Sequence, residues 1–158
     1  INSNLKLSSG YHFLYKELIE AGCKVYIGTD GCASSNNLDM LEAMKTSAMM
    51  QKGWRFDPTV CPLNEIVEMA TVNGAVALGL DTGLLQEGKL ADIQIIDTTG
   101  YNFLSPGSFL ANYVYSAHSD CIESLISNGK FVMRNRRVEG EEEILREARK
   151  VLNRIRMK

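Results

Sequence analysis

Asp30 is the side chain best placed to do chemistry. It stands in Thr29-Asp30-Gly31, directly after a short β-prone run, Cys23-Lys24-Val25-Tyr26-Ile27-Gly28. In parallel α/β barrels, active sites are built at the C-terminal ends of the strands, where the outgoing loops converge. A carboxylate at such an end can ligate a divalent metal or accept a proton from bound water. It can equally be a turn residue, because Asp before Gly often bonds its own backbone. Spacing alone does not choose between the two. The polar clusters Ser34-Ser35-Asn36-Asn37 and Asn2-Ser3-Asn4 could hydrogen-bond a polar heterocycle, although capping and turn duty is the commoner use of such residues. Cys32 lies beside Asp30, but no histidine is within sequence reach to activate it, which favours a packed thiol. The two histidines, His12 and His118, are isolated from each other and receive no role.

The elements around Asp30 follow from periodicity. Tyr11, Leu14, Tyr15, Leu18 and Ile19 share one face of a helix expected over Tyr11–Ala21, stopped by Gly22. Cys23–Gly28 reads as a buried strand. A helix is expected over Leu38–Lys52, capped by Asn36 or Asn37, with Met40, Met44, Met49 and Met50 as core filling. Another should begin at Pro62 and run to about Leu78, before Gly79. Beyond Asp81 the pattern turns to strands. Lys89–Asp97 is one, and Cys121–Ile126, Asn128-Gly129 and Lys130–Arg134 form a hairpin, since Asn-Gly supplies the positive φ angles of a type I′ turn. A last helix over Glu141–Met157 carries Ile144, Leu145, Ala148, Leu152 and Ile155 on one stripe. Internal repeats and low-complexity tracts are absent from the sequence.

Composition narrows the class. The chain has 158 residues, 45% hydrophobic and 23% charged, with a net charge of −2, which excludes intrinsic disorder. No apolar run approaches the ~18–20 residues of a membrane span, and no basic-then-apolar leader opens the sequence. Four dispersed cysteines without a Cys-x-x-Cys pair point to reduced thiols and a cytoplasmic location. Residues 1–128 hold 7 Lys/Arg against 14 Asp/Glu, whereas residues 129–158 hold 10 against 5. The basic tail is better explained by the last helix than by nucleic acid. Glu141, Glu142 and Glu143 open that helix and Arg154, Arg156 and Lys158 close it, as the helix dipole favours. Because the first residue is Ile1, a trimmed start or a piece of a longer chain is expected.

Several segments, in order, resemble the metal-dependent amidohydrolase superfamily. Gly28-Thr29-Asp30-Gly31 with Ala33-Ser34-Ser35-Asn36-Asn37-Leu38-Asp39-Met40 looks like its last barrel strand and loop. Asn2-Ser3-Asn4-Leu5-Lys6-Leu7 with Ser9-Gly10 looks like the loop after its seventh strand, and Met69-Ala70-Thr71-Val72-Asn73-Gly74-Ala75 like its eighth helix. Gly83-Leu84-Leu85 through Glu87-Gly88-Lys89-Leu90-Ala91-Asp92 looks like the return into its small β-sandwich. Asn112-Tyr113-Val114-Tyr115-Ser116-Ala117 and Asn128-Gly129-Lys130-Phe131-Val132-Met133 also fit. The match is closest to the 5-methylthioadenosine/S-adenosylhomocysteine deaminase and triazine chlorohydrolase group.

This resemblance implies an α/β fold class. Residues 1–80 would be the last helix–strand–helix section of a TIM-type (β/α)8 barrel. Residues 81–158 would be the C-terminal part of a small β-sandwich with a terminal helix. It implies adenosine-type deamination by metal-activated water, with a chlorohydrolase or guanine-type deaminase as alternatives. Asp30 would be metal ligand and catalytic carboxylate, helping to move the water's proton. Ser34, Ser35 and Asn36 would border the pocket of a small heterocyclic substrate. One divalent metal, zinc or else iron, is expected only in the complete chain. The family's His-x-His pair, later histidine ligand, catalytic Glu and catalytic His lie on upstream strands, and this sequence has no counterpart of them. The 158 residues alone are therefore expected to be inactive. A lone barrel strand would leave open edges, so a homo-oligomer is expected, without nucleic-acid or membrane partners. A non-catalytic interaction module that kept the scaffold is the competing class.

Overall fold

The structure is a computed structural model that describes residues 12–32 and 36–156. Helix α1 spans Tyr15–Glu20. Gly22 ends it at a φ of 77°, with the N–H groups of Gly22 and Cys23 donating to the carbonyls of Ile19 and Leu18, each at 2.9 Å. The helix starts later than its periodicity predicts, and Tyr11 lies outside the described residues. Three contacts lash this region to the helix that follows the Asp30 loop. Gln51 Nε2 donates to Phe13 O at 2.9 Å, Arg55 pairs with Glu17, and the His12 ring stacks on Trp54 with centroids 4.3 Å apart.

Cys23–Gly28 keeps the alternation of an extended chain, with a single β-bridge at Gly28 in place of the expected strand. Val25 and Ile27 are buried while Lys24, Tyr26 and Gly28 are exposed. Two hydrogen bonds tie it to later residues. Ile27 N–H donates to Met69 O at 3.0 Å, and Asn73 Nδ2 donates to Val25 O at 2.9 Å.

Helix α2 spans Met40–Arg55. Its N-cap is Asp39, not Asn36 or Asn37: the Asp39 carboxylate accepts from the N–H groups of Leu41 at 2.9 Å and Glu42 at 3.2 Å. The inner face is Leu41, Met44, Ala48 and Gln51 with Ala43 and Ser47. Met44 is core, but Met49 and Met50 are exposed, so only part of the methionine set fills the interior. The helix passes through Gly53 and ends at Phe56, in left-handed conformation at a φ of 52°. Lys52 Nζ then donates to the carbonyls of Pro58, Val60 and Cys61 at 2.9, 2.6 and 3.3 Å, fastening the following loop.

The single helix expected from Pro62 to Leu78 is two, α3 (Leu63–Ala70) and α4 (Val72–Ala77), and Pro62 is the N-cap residue rather than the first helical one. The break is at Thr71 (φ −129°, ψ −91°), whose hydroxyl donates back to Val67 O at 2.7 Å. Gly83 packs into this break. A Cβ there would lie 2.9 Å from Val72 Cα, and its φ is 90°.

One antiparallel sheet follows, in the order β1 (Ile93–Ile96), β2 (Ile122–Ser127), β3 (Lys130–Met133). Its register pairs Ile93 with Ile126 and Ser127 with Lys130. The β2–β3 turn has Asn128 at a φ of 47° and Gly129 at 76°, the left-handed pair the sequence requires. Between β1 and β2 lies α5 (Phe109–Tyr115), capped by Ser108, whose Oγ accepts from Ala111 N–H at 3.2 Å. Helix α6 spans Glu141–Arg156. One hydrophobic core reaches from Tyr15 to Cys121, with Ile27, Leu41, Ala48, Ile66 and Met69 meeting Tyr113 and Val114.

Candidate active-site carboxylate

Lys24, Tyr26, Gly28 and Asp30 occupy alternate positions along the extended segment, on the side opposite buried Val25 and Ile27. With Phe13, Leu18, Cys23 and an edge of Val25 they line an open hollow of about 520 Å³. Asp30 stands at the mouth of this row. Its φ of 59° is left-handed, a conformation that Asp tolerates better than most side chains. Its Oδ1 accepts from Gly31 N–H at 2.8 Å, and its carbonyl accepts from Thr29 Oγ1 at 3.2 Å. Both readings of Asp30 thus have a physical footing: the carboxylate caps its own turn, and it is exposed on a concave face.

Asn36 is exposed, at a φ of 69°, with its N–H donating to Cys32 O at 3.0 Å. That is turn duty. Ser34 and Ser35 lie outside the described residues. Cys32 and Cys23 are exposed thiols, whereas Cys61 and Cys121 are buried. His12 is taken up by Trp54, and His118 precedes a short turn at Ser119–Cys121.

Lys24 and Tyr26 line the hollow without having been singled out in the sequence. Their signal was present: a two-residue period running from Lys24 through Asp30, visible once Val25 and Ile27 are placed inside. Behind the segment, Tyr15 is buried and donates to the Glu65 carboxylate. Burial foremost, then that hydrogen bond, raises its pKa well above the usual phenol range. Burial likewise pushes the Cys61 thiol up to about 11, so it stays protonated.

Among the described residues, no group of three or more His, Cys, Asp or Glu side chains could hold a metal ion. A zinc centre takes three or four protein ligands, and Asp30 could supply at most one. The donor set of this chain does not, on its own, fit a metal centre.

Relatives share this architecture. The 5′-deoxyadenosine deaminase of Methanosarcina acetivorans is 44% identical over 149 residues, covering 93% of this chain and 34% of its own. The 5-methylthioadenosine/S-adenosylhomocysteine deaminase of Thermococcus onnurineus is 46% identical over 134 residues, 85% of this chain and 31% of its own. Among solved structures, an adenosine deaminase from Xanthomonas campestris with bound zinc superimposes with a TM-score of 0.91 at 31% identity, over 99% of this chain and 36% of that one. The atrazine chlorohydrolase of Arthrobacter aurescens TC1, complexed with zinc, gives a TM-score of 0.76 at 26% identity, over 85% of this chain and 31% of that one. The chain spans about a third of the length of the curated relatives it matches. The sequence profile of the amidohydrolase family matches residues 1–132. On that match, over most of its length, this chain belongs to the amidohydrolase family.

Proposed function

We propose that this chain is the C-terminal section of a metal-dependent amidohydrolase that deaminates an adenosine-type nucleoside. Residues 1–80 form the final helix–strand–helix section of its barrel, and residues 81–158 belong to its small β-sandwich and terminal helix. The observation that carries the reading is Asp30: a carboxylate at the end of an extended segment, on a concave face, in a family whose neighbours hold zinc. A divalent metal in such a site would supply a Lewis acid and lower the pKa of water. The ligands besides Asp30 come from polypeptide outside these 158 residues. Asp30 contributes one charged oxygen, held in place by the Gly31 N–H. Lys24 and Tyr26, in the same row, face the space a substrate would approach. The 158 residues alone catalyse no turnover. The deaminase reading is preferred to chlorohydrolysis because the adenosine deaminase superimposes more closely and over more of the chain.

The test is a single-chain chimera in which this sequence replaces the matched C-terminal section of the Methanosarcina acetivorans enzyme. Expected are ammonia release from 5′-deoxyadenosine and about one metal per chain, with both lost on Asp30→Asn. Chloride release from a chlorotriazine without deamination would give the site to the chlorohydrolase reading. A folded, metal-loaded chimera that leaves both substrates intact would overturn the enzymatic one.

A further inference from the structure

The break between α3 and α4 makes a clamp on the segment that leads to Asp30. In an unbroken helix the Met69 carbonyl would meet the N–H of Asn73, four residues on. Thr71 interrupts that ladder: its N–H donates to Glu68 O at 3.2 Å and its hydroxyl to Val67 O at 2.7 Å. The Met69 carbonyl accepts from Ile27 N–H at 3.0 Å. Just past the break, Asn73 sends its side-chain amide to Val25 O at 2.9 Å. Asn is a poor helix former, and here its donor reaches a carbonyl 48 residues away in the chain. Gly83 packs into the break, where a Cβ would lie 2.9 Å from Val72 Cα.

The two bonds engage the peptide groups that flank Tyr26, the Val25 carbonyl on one side and the Ile27 N–H on the other. A segment held at both cannot turn about its own axis without losing one of them. The row Lys24, Tyr26, Gly28 and Asp30 therefore stays on the hollow, with Val25 and Ile27 in the core. Asp30 follows three residues after Ile27, past the single β-bridge at Gly28. We infer that Asn73 is a positioning residue for the proposed deamination, acting through Val25 to set where the Asp30 carboxylate stands. This rests on the reading of Asp30 as the carboxylate of that site. In that reading Asp30 acts on water rather than on the nucleoside. Its displacement therefore weakens the transition state more than it weakens substrate binding.

Steady-state kinetics of the chimera described above, at a temperature where every variant is folded, test this. Two variants are made, Asn73→Ala and Asn73→Asp, the second keeping the shape and removing the donor. Each should lower kcat roughly 10- to 100-fold and move KM by less than about threefold. Lys52→Met is the control: it loosens the loop from Pro58 to Cys61, not the Asp30 segment, and should keep the parent kcat. Amide hydrogen exchange supplies a readout without substrate. The Ile27 N–H should exchange at least about tenfold faster in both Asn73 variants, while the α2 amides keep their parent rates. Parent kcat in the folded Asn73 variants would overturn the inference. So would an equal fall in Lys52→Met, which would reduce the effect to general loosening. A parent chimera that fails to deaminate would overturn the reading of the site, and the inference with it. An active parent with equally active Asn73 variants would sink the inference alone.

Discussion

The side-chain amide of Asn73 donates to the main-chain carbonyl of Val25 across 2.9 Å, so α4 grips the segment that ends in Asp30. Replacing it tests how firmly that segment is seated. Asn73→Ala should destabilise the fold by about 1–2 kcal/mol, a lost hydrogen bond together with an acceptor stripped of its partner. Urea unfolding read as a shift in midpoint at constant slope is the measurement. A midpoint unchanged from the parent would mean that the segment's other contacts, the Ile27–Met69 bond among them, seat it without Asn73.

Asp30 has two candidate duties, and stability separates them. Asn accepts the left-handed φ and keeps an oxygen for the Gly31 N–H, so Asp30→Asn should move stability by no more than about 0.5 kcal/mol. Asp30→Val places a β-branched residue in that same conformation and should cost about 1–3 kcal/mol. Thermal melts of the two variants give the comparison. If Asn costs as much as Val, the charge itself holds the turn together and the functional case for the carboxylate weakens.

Lys52 concentrates three carbonyls on one ammonium. Lys52→Met retains the stem and removes the charge, leaving the loop from Pro58 to Cys61 without its clamp. The expected loss is about 1.5–3 kcal/mol, the range for hydrogen bonds to charged groups. Limited proteolysis should show new cleavage in this loop before any in α2.

The carboxyl of Asp97 is held down to about 2 from its ordinary 3.8, first by the Thr99 hydroxyl, then by the Thr99 N–H and the Arg136 guanidinium. A depressed carboxyl stabilises the folded state above its unfolded pKa and loses that contribution as pH falls through the folded value. Stability should therefore decline from about pH 4 toward pH 2, and Asp97→Asn should flatten that part of the curve while leaving neutral pH values parallel. Urea midpoints at three acidic pH values decide it. An unchanged acid slope in the variant would place the sensitive group elsewhere.

Thiol labelling reads the core directly. At mildly alkaline pH, iodoacetamide should modify Cys23 and Cys32 in the native chain, with Cys61 and Cys121 reacting only after unfolding. Burial raises the pKa of both inner thiols, so accessibility and ionisation act in the same direction. Mass spectrometry of the digest gives the answer site by site. Early labelling of Cys61 would mean that the loop under Lys52 opens on its own.

Local patterns were the most legible part of the sequence. The Asn128-Gly129 hairpin and the stripe of α6 follow from turn chemistry and periodicity, which act over a few residues. The cap of α2 was misplaced because Asp39 and Asn37 are both good caps, and only the path of the preceding chain selects Asp39. The break at Thr71 was missed because no Pro or Gly marks it; a hydroxyl bonding back to Val67 and the approach of distant Gly83 produce it together. For the candidate site, position after a β-prone run nominates Asp30 without separating metal ligand from turn residue, and only the family resemblance favours the ligand. Lys24 and Tyr26 could not be nominated until the inward faces of Val25 and Ile27 fixed which side of the segment lies open.

The closeness of Gly83 to Val72 sets a rule for splicing this chain to others. With main-chain atoms meeting where a side chain would go, residues 71–83 form a weld rather than a linker. A crossover inside that stretch would bring together a kink and a bare backbone that evolved in different proteins, and the mismatch would be felt on both sides. Homologous recombination should survive on either side of the weld and fail within it.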